Sequence, residues 1–387
     1  MRRIIVFTGT RADWGILSSV ARSLNKRADV DLTVAATNMH LSERFGHTVD
    51  EIRADGFEPL TFAMDADAVT PRQRVEAMAE CMAGAAGILD RIKPGLAVIL
   101  GDRFEMLACA TACAMTGVPI AHIAGGEISE GAIDDSLRHA ITKLSALHLT
   151  ATEPYRHRVI AMGEDPARVF NTGALGVGNL RSLPDEAPLE ELEELTGFPV
   201  GHRTILVTYH AATLDTGDID SRISALLGAI DDIPDISAVV TYPNNDDRGR
   251  RIIARLEEWA PERRRRVALI PSLGRRRYHS MLRHVGAVVG NSSSGLVEVP
   301  SAGIPTVDIG IRQRGRIAGE SVIHCGDSRA EIAAAIRKAL SPEMQRLAAQ
   351  AENPYYKPDT LARMTDLLAT YPLEGLLMKR FHDINPL

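Results

Sequence analysis

The chain has 387 residues, 45% of them hydrophobic and 24% charged, which is too much for one ordinary core and suits two soluble globular domains. Its 44 basic and 50 acidic residues leave a formal net charge of -6, against the basic face of a nucleic-acid binder. Arg2 and Arg3 precede only a short apolar run, and no stretch approaches the ~18 apolar residues of a membrane span, so no signal peptide and no membrane partner are expected and the cytoplasm follows.

In chain order, residues 4–7 are a short β-rich run and 8–15 a polar, glycine-punctuated loop. Ile16, Leu17, Val20, Ala21 and Leu24 then recur at helical spacing. A strand is expected over 31–36, then a polar loop and a helix through Glu51. Residues 96–100 read as a strand running into Gly101-Asp102-Arg103, followed by a helix over 105–116. A strand over 119–123 ends at Gly125-Gly126-Glu127, with a helix over 134–144 and a strand over 146–151 after it. The segment 181–200 carries Pro184, Pro188, Pro199 and many acids, and reads as a linker plus one amphipathic helix.

The pattern then restarts with a strand over 204–208, a helix over 219–230, a strand over 237–241, a helix over 248–259 and a strand over 267–270. A strand over 285–289 enters Gly290-Asn291-Ser292-Ser293-Ser294-Gly295, with a helix from Leu296 and a strand over 306–309. Two such halves predict paired Rossmann-like domains, each a parallel sheet covered by helices. The expected division is 1–180 and 181–365, with 366–387 a C-terminal segment packing back on the first domain. Ligands of open parallel sheets sit beyond the carboxyl ends of the strands, so the polar clusters at those ends are expected to face one cleft.

The segment Gly290 to Gly295, between a strand and a helix, suits an anion through backbone N–H groups and three hydroxyls; a ligand-free serine cap is the alternative. It lacks the Walker lysine and the Gly-x-Gly-x-x-Gly spacing, which disfavours a triphosphate cradle or a dinucleotide. Glu298, one turn further, can reach a ribose diol or merely favour the helix start. Arg11 can fork onto a phosphate or pair with Asp13, and His210, directly after a strand, can donate to phosphate. Asp102, Glu127 and Asp134 arise at two strand ends and the following helix, accompanied by Arg103 and His122. Converging acids split one another's pKa values and make acid and base partners, although Asp134 has a structural alternative beside Arg138. Metal binding by these acids is the weaker rival, since no closely spaced Asp or His array is present. Cys109 and Cys113 lie in an Ala-rich apolar stretch and read, with Cys81 and Cys325, as thiols outside any disulfide framework. The basic run 263–266 reads as a solvated helix end, whereas 275–277 reads as a loop either drawn to phosphate or not.

From about Arg3 to Met364 the chain resembles the hydrolysing UDP-N-acetylglucosamine 2-epimerases of sialic acid and related nonulosonate synthesis. The resemblance rests on Phe7-Thr8-Gly9-Thr10-Arg11-Ala12-Asp13, Gly101-Asp102-Arg103-Phe104-Glu105, Ala121-His122-Ile123, Gly125-Gly126-Glu127 and Arg138-His139-Ala140-Ile141-Thr142-Lys143. It continues through Met162-Gly163-Glu164, the Gly290 to Gly295 loop and Gly310-Ile311-Arg312-Gln313-Arg314-Gly315-Arg316. The resemblance implies the glycosyltransferase-B fold, no metal or nicotinamide cofactor, a homodimer or homotetramer, and conversion of UDP-N-acetylglucosamine and water to N-acetylmannosamine and UDP. It makes Asp102, Glu127 and Asp134 the catalytic acids and Arg103 the arginine beside them. It makes Arg11, His210, Ser292, Ser293, Ser294 and Gly295 contacts of the diphosphate loop, and Glu298 the ribose contact. Two departures, Asp13-Trp14 for Glu-Tyr and Tyr209-His210-Ala211 for Phe-His-Pro, are expected near the cleft, where they would alter substrate choice. The same reaction on UDP-2,4-diacetamido-2,4,6-trideoxy-glucose is the alternative, as is a glycosyltransferase on the same fold. The segment 38–41 and the loop 61–70 are the candidates for telling the two sugars apart, and His40, able to bond a hydroxyl, puts UDP-N-acetylglucosamine first.

Overall fold

The structure is a computed structural model and describes residues 1–68, 70–130, 132–181, 186–211, 217–243 and 247–383. The chain divides into two compact units: Met1–Glu127, Asp134–Asn179 and Lys357–Leu387 form the first, and Ile128–Ile133 and Leu180–Tyr356 the second. The C-terminal part of the first unit thus starts at 357 rather than 366, because the helix Thr360–Thr370 buries Met364 and Leu368 in that unit's core. Arg2 fastens the end of this helix by donating to the carbonyls of Leu368 and Tyr371, both at 2.8 Å.

The first unit is a seven-stranded parallel sheet of β1 (Arg2–Thr8), β2 (Val30–Ala36), β3 (Leu60–Thr61), β4 (Leu96–Leu100), β5 (Ile120–Ile123), β6 (Leu147–Thr150) and β7 (Val169–Asn171) in the order β3-β2-β1-β4-β5-β6-β7. Every residue of β4 is buried, as a strand covered by helices on both faces requires. The two-residue period sorts the side chains. Ile4, Val6 and Val98 join the core with Leu17 and Leu24 of the helix Arg11–Asn25, while Ile5, Phe7 and Ile99 join the core with Cys81 and Cys109. The second core needs the helix Pro71–Ile92, which the sequence reading leaves out; Thr70 starts it with a reciprocal cap to Gln73 and Pro71 at its first position. The loop candidate 61–70 is therefore short, and its Val69 lies outside the described residues.

The second unit repeats the plan in six parallel strands: β8 (Thr204–Thr208), β9 (Ser237–Thr241), β10 (Val267–Ile270), β11 (Ala287–Gly290), β12 (Thr306–Ile309) and β13 (Val322–Cys325), ordered β10-β9-β8-β11-β12-β13. Ile205 and Val207 face the helices Ile219–Asp231 and Arg329–Ala339, and Leu206 and Val288 face the opposite core with Met281 and Leu282. Within the expected linker, residues 182–185 lie outside the described residues, and the amphipathic helix is Leu189–Thr196. Both chain orders reverse direction once, between β1 and β4 and between β8 and β11. At such a switch point the loops diverge to opposite faces and leave room for a ligand beyond the strand ends.

The basic runs resolve as structural pairs. Arg263 and Arg266 both bind Asp231, at 2.7 and 2.9 Å. Residues 275–277 belong to the helix Gly274–Met281 instead of a loop, and Arg276 and Arg277 hold Glu191 at 2.8 and 2.7 Å. Phosphate attraction is not needed to explain those two guanidinium groups, since a carboxylate already sits between them. No helix among the described residues is long and apolar enough to cross a membrane.

Candidate active site

The loop from β1 and the loop from β4 leave the first unit's switch point side by side. Thr10 caps the helix Arg11–Asn25: its hydroxyl accepts from the Asp13 N–H, and the Asp13 carboxylate accepts from the Thr10 N–H at 3.1 Å. Arg11 turns to Glu51, 2.8 Å away, so the alternative of an Arg11–Asp13 pair is replaced by an exposed Arg11–Glu51 pair and a capping Asp13. Burial pushes the Asp13 carboxyl up to about 6, against the pull of the neighbouring Arg103 and with the push of Glu105.

Asp102 follows Gly101 at the end of β4 and forms an ion pair with Arg138 of the helix Ile133–Leu144, whose side chain is 1% exposed. The same guanidinium donates to the Glu127 carbonyl at 3.0 Å and to Asp135 at 3.3 Å. One buried cation therefore ties the end of β4, the loop after β5 and the following helix to each other. Glu127 is presented by a sharp turn: Gly126 has φ +78, and a Cβ there would come within 2.5 Å of the Tyr155 carbonyl, so only glycine fits. The chain leaves the first unit just after Glu127 and returns at Asp134, so two of the expected acids bracket that excursion. The arginine four residues beyond Asp134 makes ion pairs with Asp102 and Asp135.

His122, buried in β5, supports the same corner from below. Its Nε2 donates to the Gly101 carbonyl at 2.7 Å, which fixes the tautomer because a carbonyl only accepts, and Nδ1 lies 3.2 Å from the Thr142 hydroxyl. Burial pushes its pKa down to about 3, so the ring stays neutral and acts as a prop. His40 is also structural. It is fully buried, with one ring nitrogen 3.0 Å from Thr8 Oγ1 and the other 2.8 Å from Thr48 Oγ1. Both nitrogens are spent, so His40 is not the sugar-hydroxyl contact that the sequence suggested. Trp14 likewise turns inward, donating to Asp55 at 2.8 Å and meeting Phe57 edge-on.

In the second unit the β8 and β11 ends meet in the same way. Asn291 clamps the His210 peptide from both sides: its side-chain oxygen accepts from the His210 N–H at 2.7 Å, and its amide donates to the His210 carbonyl at 2.8 Å. Arg312 and Gln313 in turn hold the Asn291 carbonyl at 2.9 and 2.8 Å. The His210 ring is kept neutral, its pKa pushed down to about 3 by burial and by Arg312. A neutral imidazole still carries one N–H to give to an anion. Gly290, at φ +143, lies so close to Thr208 that a side chain would strike the carbonyl of that residue.

Ser292, Ser293 and Ser294 follow, and Ser294 Oγ lies 2.7 Å from the Tyr278 hydroxyl at the start of the four-residue helix Ser294–Val297. Glu298 ends that helix and starts the 3₁₀ turn Val299–Ala302, and the helix begins at Ser294, ahead of the expected Leu296. Gly295 donates its N–H to the Ser292 carbonyl at 3.1 Å, and its Cα faces Thr306, where a Cβ would come within 2.7 Å of Cγ2. The segment between Glu127 and Asp134 is held in this unit by Arg316, which donates to the Ile128 carbonyl at 2.9 Å and to Ser129 at 3.1 Å. Among the described residues no group of three or more His, Cys, Asp or Glu is arranged to hold a metal ion.

The family described as UDP-N-acetylglucosamine 2-epimerase matches the chain over residues 22–369. The polysialic acid biosynthesis protein P7 of Escherichia coli is 32% identical over 386 residues, 99% of this chain and 98% of that protein. The GDP/UDP-N,N'-diacetylbacillosamine 2-epimerase (hydrolyzing) of Campylobacter jejuni is 33% identical over 327 residues, 83% of this chain and 84% of its own. The crystal structure of the UDP-GlcNAc 2-epimerase from Neisseria meningitidis superposes with a TM-score of 0.76 at 18% identity, covering 95% of this chain and 99% of that one. That likeness gives the fold: two Rossmann-like parallel-sheet domains of the glycosyltransferase-B type.

Proposed function

Since the chain belongs to the UDP-N-acetylglucosamine 2-epimerase family, an enzyme family of UDP-sugar 2-epimerases, we propose that it is a hydrolysing member that converts a UDP-2-acetamido sugar and water to the free 2-epimeric sugar and UDP. The observation that carries the reading is the set of acids at the first unit's switch point, where Asp102 and the Glu127 backbone share the buried Arg138.

The chemistry assigned to these residues is an elimination followed by a hydration. One carboxylate takes the C2 proton while the C1–O bond breaks and its electron pair leaves with UDP, giving a 2-acetamidoglucal. A second carboxyl group then returns a proton to C2 from the opposite face as water adds its hydroxyl at C1 and passes its other proton to a carboxylate, which restores the protonation of the site. Asp102, Glu127 and Asp134 are the groups assigned to these transfers. Arg11, Arg103, His210, Ser292, Ser293 and Ser294 are assigned to the diphosphate, whose charge grows as it leaves, and Glu298 to the ribose.

For the sugar itself, UDP-N,N'-diacetylbacillosamine (the 2,4-diacetamido-2,4,6-trideoxy sugar) now stands ahead of UDP-N-acetylglucosamine. The Campylobacter jejuni relative carries that activity in its name, and the hydroxyl contact that favoured the other sugar is lost with the burial of His40. Both nucleotides offered together in one reaction decide the matter by their kcat/KM ratio. A site that hydrogen-bonds the C4 amide should reject the analogue lacking it by about 10⁴-fold or more. A preference for UDP-N-acetylglucosamine overturns this assignment, and a product that stays attached to UDP overturns the hydrolytic one.

A further inference from the structure

We propose that Glu105 is a positioning residue for this reaction, buried behind Arg103 to fix the plane of its guanidinium and offset part of its charge beside Asp134. The proposal rests on the reading of Asp102, Glu127 and Asp134 as the reacting acids.

Glu105 opens the helix Phe104–Thr116 and is 0% exposed. Its Oε1 accepts from Arg103 Nε at 2.5 Å, and its Oε2 has no hydrogen-bond partner among the described residues. An acid in the first turn of a helix favours the helix dipole by only about 0.3–1 kcal/mol, and an exposed carboxylate does that without being desolvated. Full burial of the carboxylate costs far more than that unless a cation compensates it. The helix start therefore does not explain why a charge sits at this buried position, whereas the arginine does.

The neighbouring strand end is shaped around the same group. A Cβ at Gly9 would lie 2.7 Å from both Cγ and Oε1 of Glu105, so the loop after β1 carries no side chain at the point where the carboxylate rests. On the other flank lies Asp13, whose carboxylate is set by the Thr10 cap. Burial disfavours the charge of Arg103, but Glu105, Asp13 and Asp134 together more than offset this and hold it protonated. With Nε engaged by Glu105, the guanidinium plane is fixed, and its two Nη groups make no other hydrogen bond among the described residues. The Arg103 side chain is still 30% exposed, so its terminal N–H groups remain open to a ligand.

The test is Glu105→Gln, which keeps the volume and one acceptor and removes the charge. A purely space-filling role tolerates it. A positioning role predicts a fall in kcat of about 10²-fold, the scale of an ångström of misplacement at a reacting group, with KM for the UDP-sugar and the melting temperature little changed. The assay is UDP release from whichever of the two nucleotides the wild-type protein turns over. If the wild type turns over and Glu105→Gln matches it within about twofold, the inference falls while the reaction stands. A wild-type protein that releases no UDP from either nucleotide sinks the reaction, and the inference with it. Should Glu105→Gln fail to fold, Gly9→Ala carries the same test by pushing the carboxylate aside: the same selective loss of kcat is expected, and full kcat in that variant overturns the inference.

Discussion

Asp102→Asn lowers kcat by about 10²–10⁴-fold, the span that one general acid or base contributes. Asparagine keeps the shape of the side chain but can neither take nor return a proton, so the loss falls on the chemical step and KM stays near the wild-type value. The variant also takes from Arg138 one of its ion-pair partners, and that cation is buried. Thermal melts must therefore accompany the kinetics. Arg138 retains the Glu127 carbonyl and Asp135, and these hold the corner well enough for the folded variant to be assayed. Glu127→Gln and Asp134→Asn belong to the same series and lower kcat for the same reason. Turnover close to wild type in a folded Asp102→Asn protein removes Asp102 from the proton transfers.

The largest expected effect on stability comes from Arg138→Met. Methionine fills much of the same volume but ends the ion pair with Asp102 and the bond to the Glu127 carbonyl. Removing one member of a fully buried pair costs about 3–5 kcal/mol, and because Asp102 keeps 23% of its side chain exposed the loss here falls below that range, at about 1–3 kcal/mol for the desolvated partners left unpaired. Here the carbonyl of Glu127 loses its donor as well. Denaturant titration reads this as a lower midpoint at unchanged slope. A change below about 1 kcal/mol would mean that the pair behaves like an exposed surface bridge.

The frame of the fold was legible in local sequence because its signals are local. The run Leu96 to Leu100 is apolar throughout and proves buried on both faces, and the strand, loop and helix order recurs from Thr204 onward. Glycines after the strands mark the loops where Asp102 and Glu127 stand. The helix Pro71–Ile92 went unread although Thr70, Pro71 and Gln73 announce its start. Its buried positions are mostly small, Ala77, Cys81 and Ala85, and leave only a faint apolar stripe.

Partnerships across the chain were harder to see. Periodicity pairs Arg138 with its own helix, but one of its partners, Asp102, is 36 residues away at another strand end. His40 looks like a loop histidine free to meet a ligand until Thr8 and Thr48 close on its two nitrogens. Asn291 offered no sign that its amide would grip the His210 peptide, 81 residues earlier. Such contacts arise from which strand ends the sheet order brings together, and a single sequence does not state that order.

The most direct test of the proposed elimination is to run the reaction in D2O with UDP-N,N'-diacetylbacillosamine and, separately, with UDP-N-acetylglucosamine, reading the released sugar by proton NMR. Because the C2 proton is given up and a new one taken from the opposite face, the free 2-epimeric sugar should carry deuterium at C2, with one UDP formed per sugar. Release of UDP with a sugar still protiated at C2 would contradict the elimination and leave simple hydrolysis or transfer of the glycosyl group in its place.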